Sequence, residues 1–171
     1  MSRTTMKAIW LGKDTRDICE FRNSWGFAPV VWDALGRAYI SKDFVWLSDP
    51  DRIWRLYDDP RLSASERAVL FMTFDYAYVC HKDARQAADD IEMFLTMYPQ
   101  PAGSANHWPA IAQWMGGWPI DIPCVGFHGT SVSEDLWAIW ESDDDDPGRT
   151  PDWERAWDVY AELARCSDDR R

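Results

Sequence analysis

The chain has 171 residues and a formal net charge of -11, with 29 Asp and Glu against 18 Lys and Arg. A chain of this length buries one hydrophobic core, so we expect a single globular domain over residues 1–171. Its negative charge repels phosphate backbones and anionic lipids, which disfavours direct binding to nucleic acid or to a membrane surface and favours a basic protein surface as partner.

Two short runs near the N-terminus, MKAIWL and ICEFR, are rich in β-branched and aromatic residues and flank the turn-rich hexapeptide GKDTRD. This pattern predicts an N-terminal β-hairpin. The next segment, NSWG at 23–26, is similar to the asparagine motif of papain-like cysteine proteases, in which the catalytic cysteine and histidine come earlier in the chain. Asn23 instead precedes all three histidines, so we interpret NSWG as a structural junction and expect Trp25 to be buried beneath it.

Six segments carry apolar residues at helical spacing. Ser63 and Glu66 have the spacing of a capping box, and they open the most apolar segment, which we expect to form the central buried helix. Thr150 and Pro151 are expected to open the last helix. The segments are 28–39, 48–60, 63–79, 81–99, 108–115 and 150–164.

Two later runs, IPCVGFHG and LWAIW, are short, apolar and bounded by turn residues, so both could add strands to a small sheet. LWAIW could equally form a helical turn that begins at Ser133. The chain is therefore predicted to be a predominantly helical α+β protein, with about six helices packed on a small antiparallel sheet that includes the N-terminal hairpin.

The motif GFHGTS, residues 126–131, resembles the first motif of ADP-ribosyltransferases of the diphtheria-toxin and poly(ADP-ribose) polymerase kind. The resemblance covers six residues and implies that His128 and Thr130 hold a nicotinamide dinucleotide. In that family a long sheet then supplies two tyrosines and a catalytic glutamate. Here 41 residues follow Thr130, with Tyr160 as their sole tyrosine. An ADP-ribosyltransferase-like enzyme is thus the alternative to a binding protein.

The titratable residues form no other pattern typical of a catalytic, cofactor or metal site. The three histidines are far apart, and the aspartates at 143–146 lack the alternating ligands and glycine of an EF-hand. The four cysteines match no zinc ribbon, redox pair or dense disulfide framework, so we expect free thiols in a reducing compartment. The apolar run AIWL is too short for a signal-peptide core, and we expect a cytoplasmic protein.

The segment EDLWAIWESDDDD combines two tryptophans with many carboxylates, and it includes an acidic loop at 141–150. Residues 121–171 hold 14 of the 29 acidic but 5 of the 18 basic side chains; the last few of these residues are expected to be disordered. Aromatic anchors rimmed by carboxylates suit docking on a basic partner, although the rings could equally pack inward. The expected partner-binding residues are Glu134, Asp135, Trp137, Trp140, Glu141, Asp143, Asp144, Asp145 and Asp146.

These observations favour a non-enzymatic inhibitor that occupies a basic, nucleic-acid-binding surface of a partner protein. DNA-mimicking and anti-CRISPR proteins, with which phages and other mobile elements block host defence, offer an analogy in charge and size. An immunity protein or antitoxin that neutralises one basic toxin is a further alternative.

Overall fold

The computed structural model describes residues 2–129, 135–139 and 148–168, and within them the chain forms six α-helices and five β-strands. The predicted α+β class, predominantly helical with an N-terminal hairpin, is confirmed. The expected acidic loop and C-terminal tail lie largely outside the described residues. The strands are β1 Arg3–Trp10, β2 Asp14–Arg22, β3 Ala77–Cys80, β4 Cys124–Gly129 and β5 Trp157–Asp158. The helices are α1 Ala28–Tyr39, α2 Asp51–Arg55, α3 Ala64–Phe71, α4 Ala84–Met97, α5 Trp108–Gly116 and α6 Val159–Asp168.

The five strands form one sheet in the order β2-β1-β4-β3-β5. β1 pairs antiparallel with both β2 and β4, and β4 pairs antiparallel with β3. The two-residue β5 runs parallel to β3, so the sheet is mixed rather than wholly antiparallel.

A hydrophobic cluster covers each face of the sheet. Successive side chains of a strand point to opposite faces, so neighbouring residues of β4 enter different clusters. Val125 and Phe127 of β4 pack in the main hydrophobic cluster, to which α1, α3, α4 and α5 contribute. Cys124 of the same strand belongs to a smaller cluster that contains Trp137. The segment 135–139 therefore contributes to the cover of the second face.

The central helix is shorter than predicted. The capping box of Ser63 and Glu66 opens α3 as expected, but the helix ends at Phe71, and residues 77–80 form β3 instead of its last turn. The chain leaves the helix at Met72, the C-cap, and Tyr76, just before β3, has a φ of 58° in the left-handed region. A run that is apolar nearly all round gives no period by which a buried strand could be told from a buried helix.

The last helix also begins later than predicted, at Val159 rather than at Thr150. Trp157 donates its backbone N–H to the carbonyl of Tyr76 at 3.0 Å and extends the sheet beside β3. Asp158 then caps the helix, since its Oδ1 accepts the backbone N–H of Tyr160 at 2.9 Å. A sheet contact thus overrides the helical spacing of the residues that precede Val159.

Candidate functional site

The tryptophan at the centre of the predicted docking segment is a core residue. Trp137 is 1% exposed, and its ring packs so closely on Gly126 that a Cβ there would lie 2.9 Å from it. Tyr76 meets the ring edge-on at 5.6 Å, and Thr15 donates its hydroxyl to the Trp137 carbonyl at 2.6 Å. Residues 135–139 form a turn and not a strand, with Ala138 donating its backbone N–H to the Asp135 carbonyl at 3.3 Å; Ser133, where a helical turn was expected to begin, lies outside the described residues. The Trp137 ring covers the sheet, which corrects the expectation that it anchors a partner.

Asp135 is tied to the sheet by a buried lysine. The Nζ of Lys7, whose side chain is 7% exposed, lies 2.9 Å from Asp135 Oδ2 and 2.8 Å from Asp17 Oδ1. Burial lowers the pKa of Lys7, but the two hydrogen-bonded carboxylates outweigh it and the net pKa is raised. Asp135 thus stabilises the fold. The other predicted docking residues lie outside the described residues: Glu134, Trp140, Glu141, Asp143, Asp144, Asp145 and Asp146.

A different set of aromatic side chains reaches the surface, and we call it the aromatic row. Its consecutive rings meet edge-to-face, with centroid distances of 5.9, 5.1, 5.4 and 5.0 Å. This geometry is preferred between aromatic rings because the positive edge of one faces the negative face of the next. The members, in order along the row, are Trp25, Trp46, Trp32, Trp54 and Phe74.

Trp25 begins the aromatic row and is 46% exposed, so the prediction that it is buried was wrong. Asn23 has a φ of 67°, and its Oδ1 accepts the backbone N–H of Trp25 at 3.2 Å. The side chain of His107 fills the space beneath this turn, and its Nε2 lies 2.7 Å from the Asn23 carbonyl oxygen. Phe21 stacks on the His107 ring at 5.0 Å, and Gly26 leaves room for that ring. NSWG is therefore a junction, as interpreted, but a histidine fills it.

The far end of the aromatic row opens into a pocket of about 470 Å³, which we call the aromatic pocket. Phe74 lines it, and the rings of Tyr57 and Trp157 each lie at a centroid distance of 6.5 Å from the Phe74 ring. Trp157 is held by its indole N–H, which donates to the Asp75 carbonyl at 3.0 Å. The lining residues are Trp54, Tyr57, Phe74, Asp75, Trp157 and Glu162.

Two carboxylates give the aromatic pocket its charge. Arg165 donates its Nε–H to Glu162 at 2.9 Å, and this hydrogen bond holds the pKa of Glu162 below its usual value. Partial burial raises the pKa of Asp75, against the opposing charges of Arg155 and His128. Arg165 also donates to the Tyr57 hydroxyl at 3.3 Å. The pocket therefore combines aromatic rings with two carboxylates. Glu162 is paired with Arg165, and Asp75 lies near the charge of Arg155.

Aromatic rings beside carboxylates form a site for a cation, since the ring faces are negative and the carboxylate neutralises the ligand's charge. Sequence patterns missed this site because its members come from α2 and the turn after it, the turn after α3, β5, and α6. The adjacent residues Ile53 and Trp54 of α2 point in directions about 100° apart on the helix, so one can be buried while the other is exposed. Ile53 is buried, whereas Trp54 is 43% exposed.

The GFHGTS motif lies in and after β4. His128 pairs with Thr5 of β1 and is buried, and Gly126 faces the Trp137 ring. Trp137 thus covers Gly126, which lies two residues before His128 on the same face of β4. Thr130 lies outside the described residues.

The described residues contain no group of three or more His, Cys, Asp or Glu that could hold a metal ion. None of the helices in that part of the chain is both long and apolar enough to cross a membrane. No family model, no curated protein and no solved structure matches this chain.

Proposed function

We propose that this protein is a non-enzymatic, protein-binding inhibitor that covers a basic, nucleic-acid-binding surface of a partner protein. The observation that supports the proposal is the aromatic row, which ends in a carboxylate-bearing pocket on a chain of net charge -11. The row replaces the Trp137 segment as the docking surface.

The aromatic row lies among exposed apolar side chains. Four large hydrophobic residues between positions 25 and 54 are exposed: Trp25, Val45, Leu47 and Trp54. Tryptophan is enriched among the residues that dominate binding energy, because its ring buries a large area with few rotatable bonds. Two exposed tryptophans, joined through Trp46 and the buried Trp32, therefore make a rigid anchor for a protein partner.

An arginine side chain is the group that best fits the aromatic pocket. A guanidinium stacks on aromatic rings and bonds carboxylates in a planar fork, and both partners are present as Trp54 and Asp75. Nucleic-acid-binding surfaces are rich in arginine because its guanidinium group neutralises phosphates. Glu162 already pairs with Arg165. We therefore assign Asp75 as the carboxylate that binds the guanidinium of the partner's arginine.

The net negative charge supports the same class of partner. Acidic side chains speed the encounter with a basic protein and repel free nucleic acid. An inhibitor of a phage or mobile element, such as a DNA-mimicking or anti-CRISPR protein, and an immunity protein against a basic toxin both belong to this class. We propose the cytoplasm as its compartment, since the cysteine spacing matches no secreted disulfide framework.

Affinity capture from a host lysate, compared between matched variants, tests the function. We expect a basic partner to be retained by the wild type and by Ile120→Ala, and lost with Trp25→Ala/Trp54→Ala. Ile120 is 86% exposed and lies outside the aromatic row, so it is a control for the loss of surface apolar area. Binding should weaken as salt rises, and the purified pair should exclude nucleic acid from the partner. Equal capture by all three proteins would refute the proposed surface.

A small probe tests the aromatic pocket directly. Titration with N-acetyl-arginine amide, followed by NMR of the indole N–H signals, should shift the Trp54 and Trp157 signals. Asp75→Asn should weaken this binding at least threefold, since the carboxylate supplies the charge. The matched neutral probe, N-acetyl-citrulline amide, should bind more weakly than the arginine probe. Equal binding of the two probes would show that the pocket does not select a cation.

The enzyme alternative has its own test. If the protein is a binding module, NAD should give no heat of binding and no shift in melting temperature, either with the wild type or with His128→Ala. Saturable NAD binding that His128→Ala abolishes would replace the proposal with an ADP-ribosyltransferase-like enzyme.

A further inference from the structure

Two free cysteines face each other across neighbouring strands. Cys80 of β3 and Cys124 of β4 are direct partners in the antiparallel register, and their Sγ atoms lie 3.7 Å apart. They are 44 positions apart in the chain, so their proximity is a consequence of strand pairing alone.

The hydrogen-bonding pattern makes this position favourable for a bond between the sulfurs. The next pair along the strands is hydrogen-bonded, since His81 donates its backbone N–H to the Pro123 carbonyl at 2.8 Å. Antiparallel pairs alternate, so Cys80 and Cys124 form a non-hydrogen-bonded pair, the type with the closer side chains, at a Cα separation of about 4.5 Å. A disulfide accepts a Cα separation of about 4.4–6.8 Å, so side-chain rotation can close the gap with the backbone in place.

The surroundings distinguish the two sulfurs. Cys124 is buried, and the hydrogen bond between the two sulfurs lowers its pKa, against burial and the charge of Asp158, which raise it. Cys80 is half-buried, and its pKa is raised by that hydrogen bond, by burial and by Asp158, whose Oδ2 lies 3.3 Å from the sulfur. Lys82 is near enough to favour a negative charge on Cys124. Cys124 is thus the more readily ionised thiol of the pair, and Cys80 is the second thiol.

We propose that Cys80 and Cys124 are an oxidation site, at which a peroxide converts the two thiols into a disulfide that joins β3 to β4. The Cys124 thiolate attacks one peroxide oxygen, which forms an S–O bond, breaks the O–O bond and releases water. Cys80 then loses its proton and attacks the sulfenic sulfur, which forms the S–S bond and releases a second water. Two thiols give up two electrons and two protons, and hydrogen peroxide is reduced to two molecules of water. This inference is independent of the proposed function.

The other two cysteines provide internal controls. Cys19 and Cys166 are partly buried, and burial together with a neighbouring glutamate raises the pKa of each thiol. We expect them to stay reduced under oxidation that converts the Cys80 and Cys124 pair, because reactivity follows the thiolate fraction and a second thiol captures the sulfenic acid.

Treatment of the full-length protein with a few equivalents of hydrogen peroxide, followed by alkylation and non-reducing peptide mapping, tests the proposal. The expected product is a Cys80–Cys124 cross-linked peptide, formed alike in wild type and in Cys19→Ser/Cys166→Ser, and absent in Cys80→Ser. The double variant keeps the test valid if Cys80→Ser does not fold. If Cys80 and Cys124 remain alkylated while Cys19 or Cys166 is oxidised, or if the disulfides are intermolecular, the assignment is overturned.

Thermal stability gives a second readout. The disulfide closes a loop of 44 positions, which contains α4 and α5, so the melting temperature should rise by roughly 10 °C on oxidation and return with a thiol reductant. Cys80→Ser treated with the same peroxide should show no such rise. A melting temperature of the oxidised wild type that stays constant or falls would contradict a bond that fits the native register.

Discussion

Replacement of Trp137 by alanine separates the two roles that its sequence context allowed. A docking anchor would lose binding and little stability, whereas a core ring would lose stability. Trp137 is 1% exposed, and its neighbours Gly126 and Tyr76 are fixed in the sheet or at its edge. Removing a buried tryptophan costs about 3–5 kcal/mol, because the transfer free energy of the ring is lost and a cavity remains. We therefore expect Trp137→Ala to lower the free energy of unfolding by that amount.

Urea unfolding followed by far-ultraviolet circular dichroism measures this loss without reliance on the altered tryptophan fluorescence. With an m-value of about 2 kcal/mol/M, the midpoint should fall by roughly 2 M urea. Trp25→Ala is the matched control: the same side chain is removed where it is 46% exposed, and we expect a loss of about 1 kcal/mol or less.

The difference in unfolding free energy between the Trp137→Ala and Trp25→Ala proteins decides whether Trp137 is a core residue. A Trp137→Ala protein that unfolds within about 1 kcal/mol of the Trp25→Ala protein would show that the indole is not a core element, since surface substitutions are usually small in effect. The docking role of the EDLWAIWESDDDD segment would then regain support.

Three further changes test the packing and charge of the core. Glu66→Gln should lower the free energy of unfolding by about 1–3 kcal/mol at pH 7. Burial raises the pKa of Glu66. Hydrogen bonds from the helix N-cap and from two tyrosine hydroxyls outweigh burial, so the net pKa is lowered. Because a lowered native pKa stabilises the fold above the unfolded value of about 4.3, the difference from wild type in urea unfolding should shrink as the pH falls below it. Gly126→Ala should lower the free energy of unfolding, measured by calorimetry, by about 1–3 kcal/mol, since the new Cβ would lie 2.7 Å from a core methyl group. Gly116→Ala is the control: its Cβ would have no atom within 4 Å, so the substitution should be neutral or stabilising. A double-mutant cycle of Lys7→Met and Asp135→Asn should give a coupling of about 1–2 kcal/mol; additive effects would show that the ion pair does not hold the 135–139 segment.

Local signals predicted the elements that are built from local contacts. The hairpin of β1 and β2 follows from two β-rich runs around a turn, and α3 begins at its capping box. The patterns failed where a distant partner decided the structure. Residues 77–80 become a strand because β4 pairs with them, and Trp157 joins the sheet because the Tyr76 carbonyl accepts its N–H.

The site was harder to predict than the fold, because a tryptophan count does not separate core from surface rings. Trp137 stood among carboxylates, which is typical of a docking segment, yet the gap over Gly126 accommodates its ring. Trp25 stood in the junction between the hairpin and the first helix, yet His107 fills the space beneath it. In both cases the deciding contact joins residues that are far apart in the chain, and the same is true of Cys80 and Cys124.

The aromatic row shows how one set of rings can serve both stability and recognition. Trp32 is buried and donates its indole N–H to the Thr73 hydroxyl at 2.8 Å, and its ring contacts both Trp46 and Trp54. The short helix α2 has five residues, too few to be stable alone, so its position depends on tertiary packing, through the buried Ile53 and these ring contacts. The exposed rings are thereby fixed before a partner arrives, which lowers the entropy cost of binding. For this reason substitution of Trp32 would remove stability and binding together, whereas Trp25 and Trp54 allow the two to be measured apart.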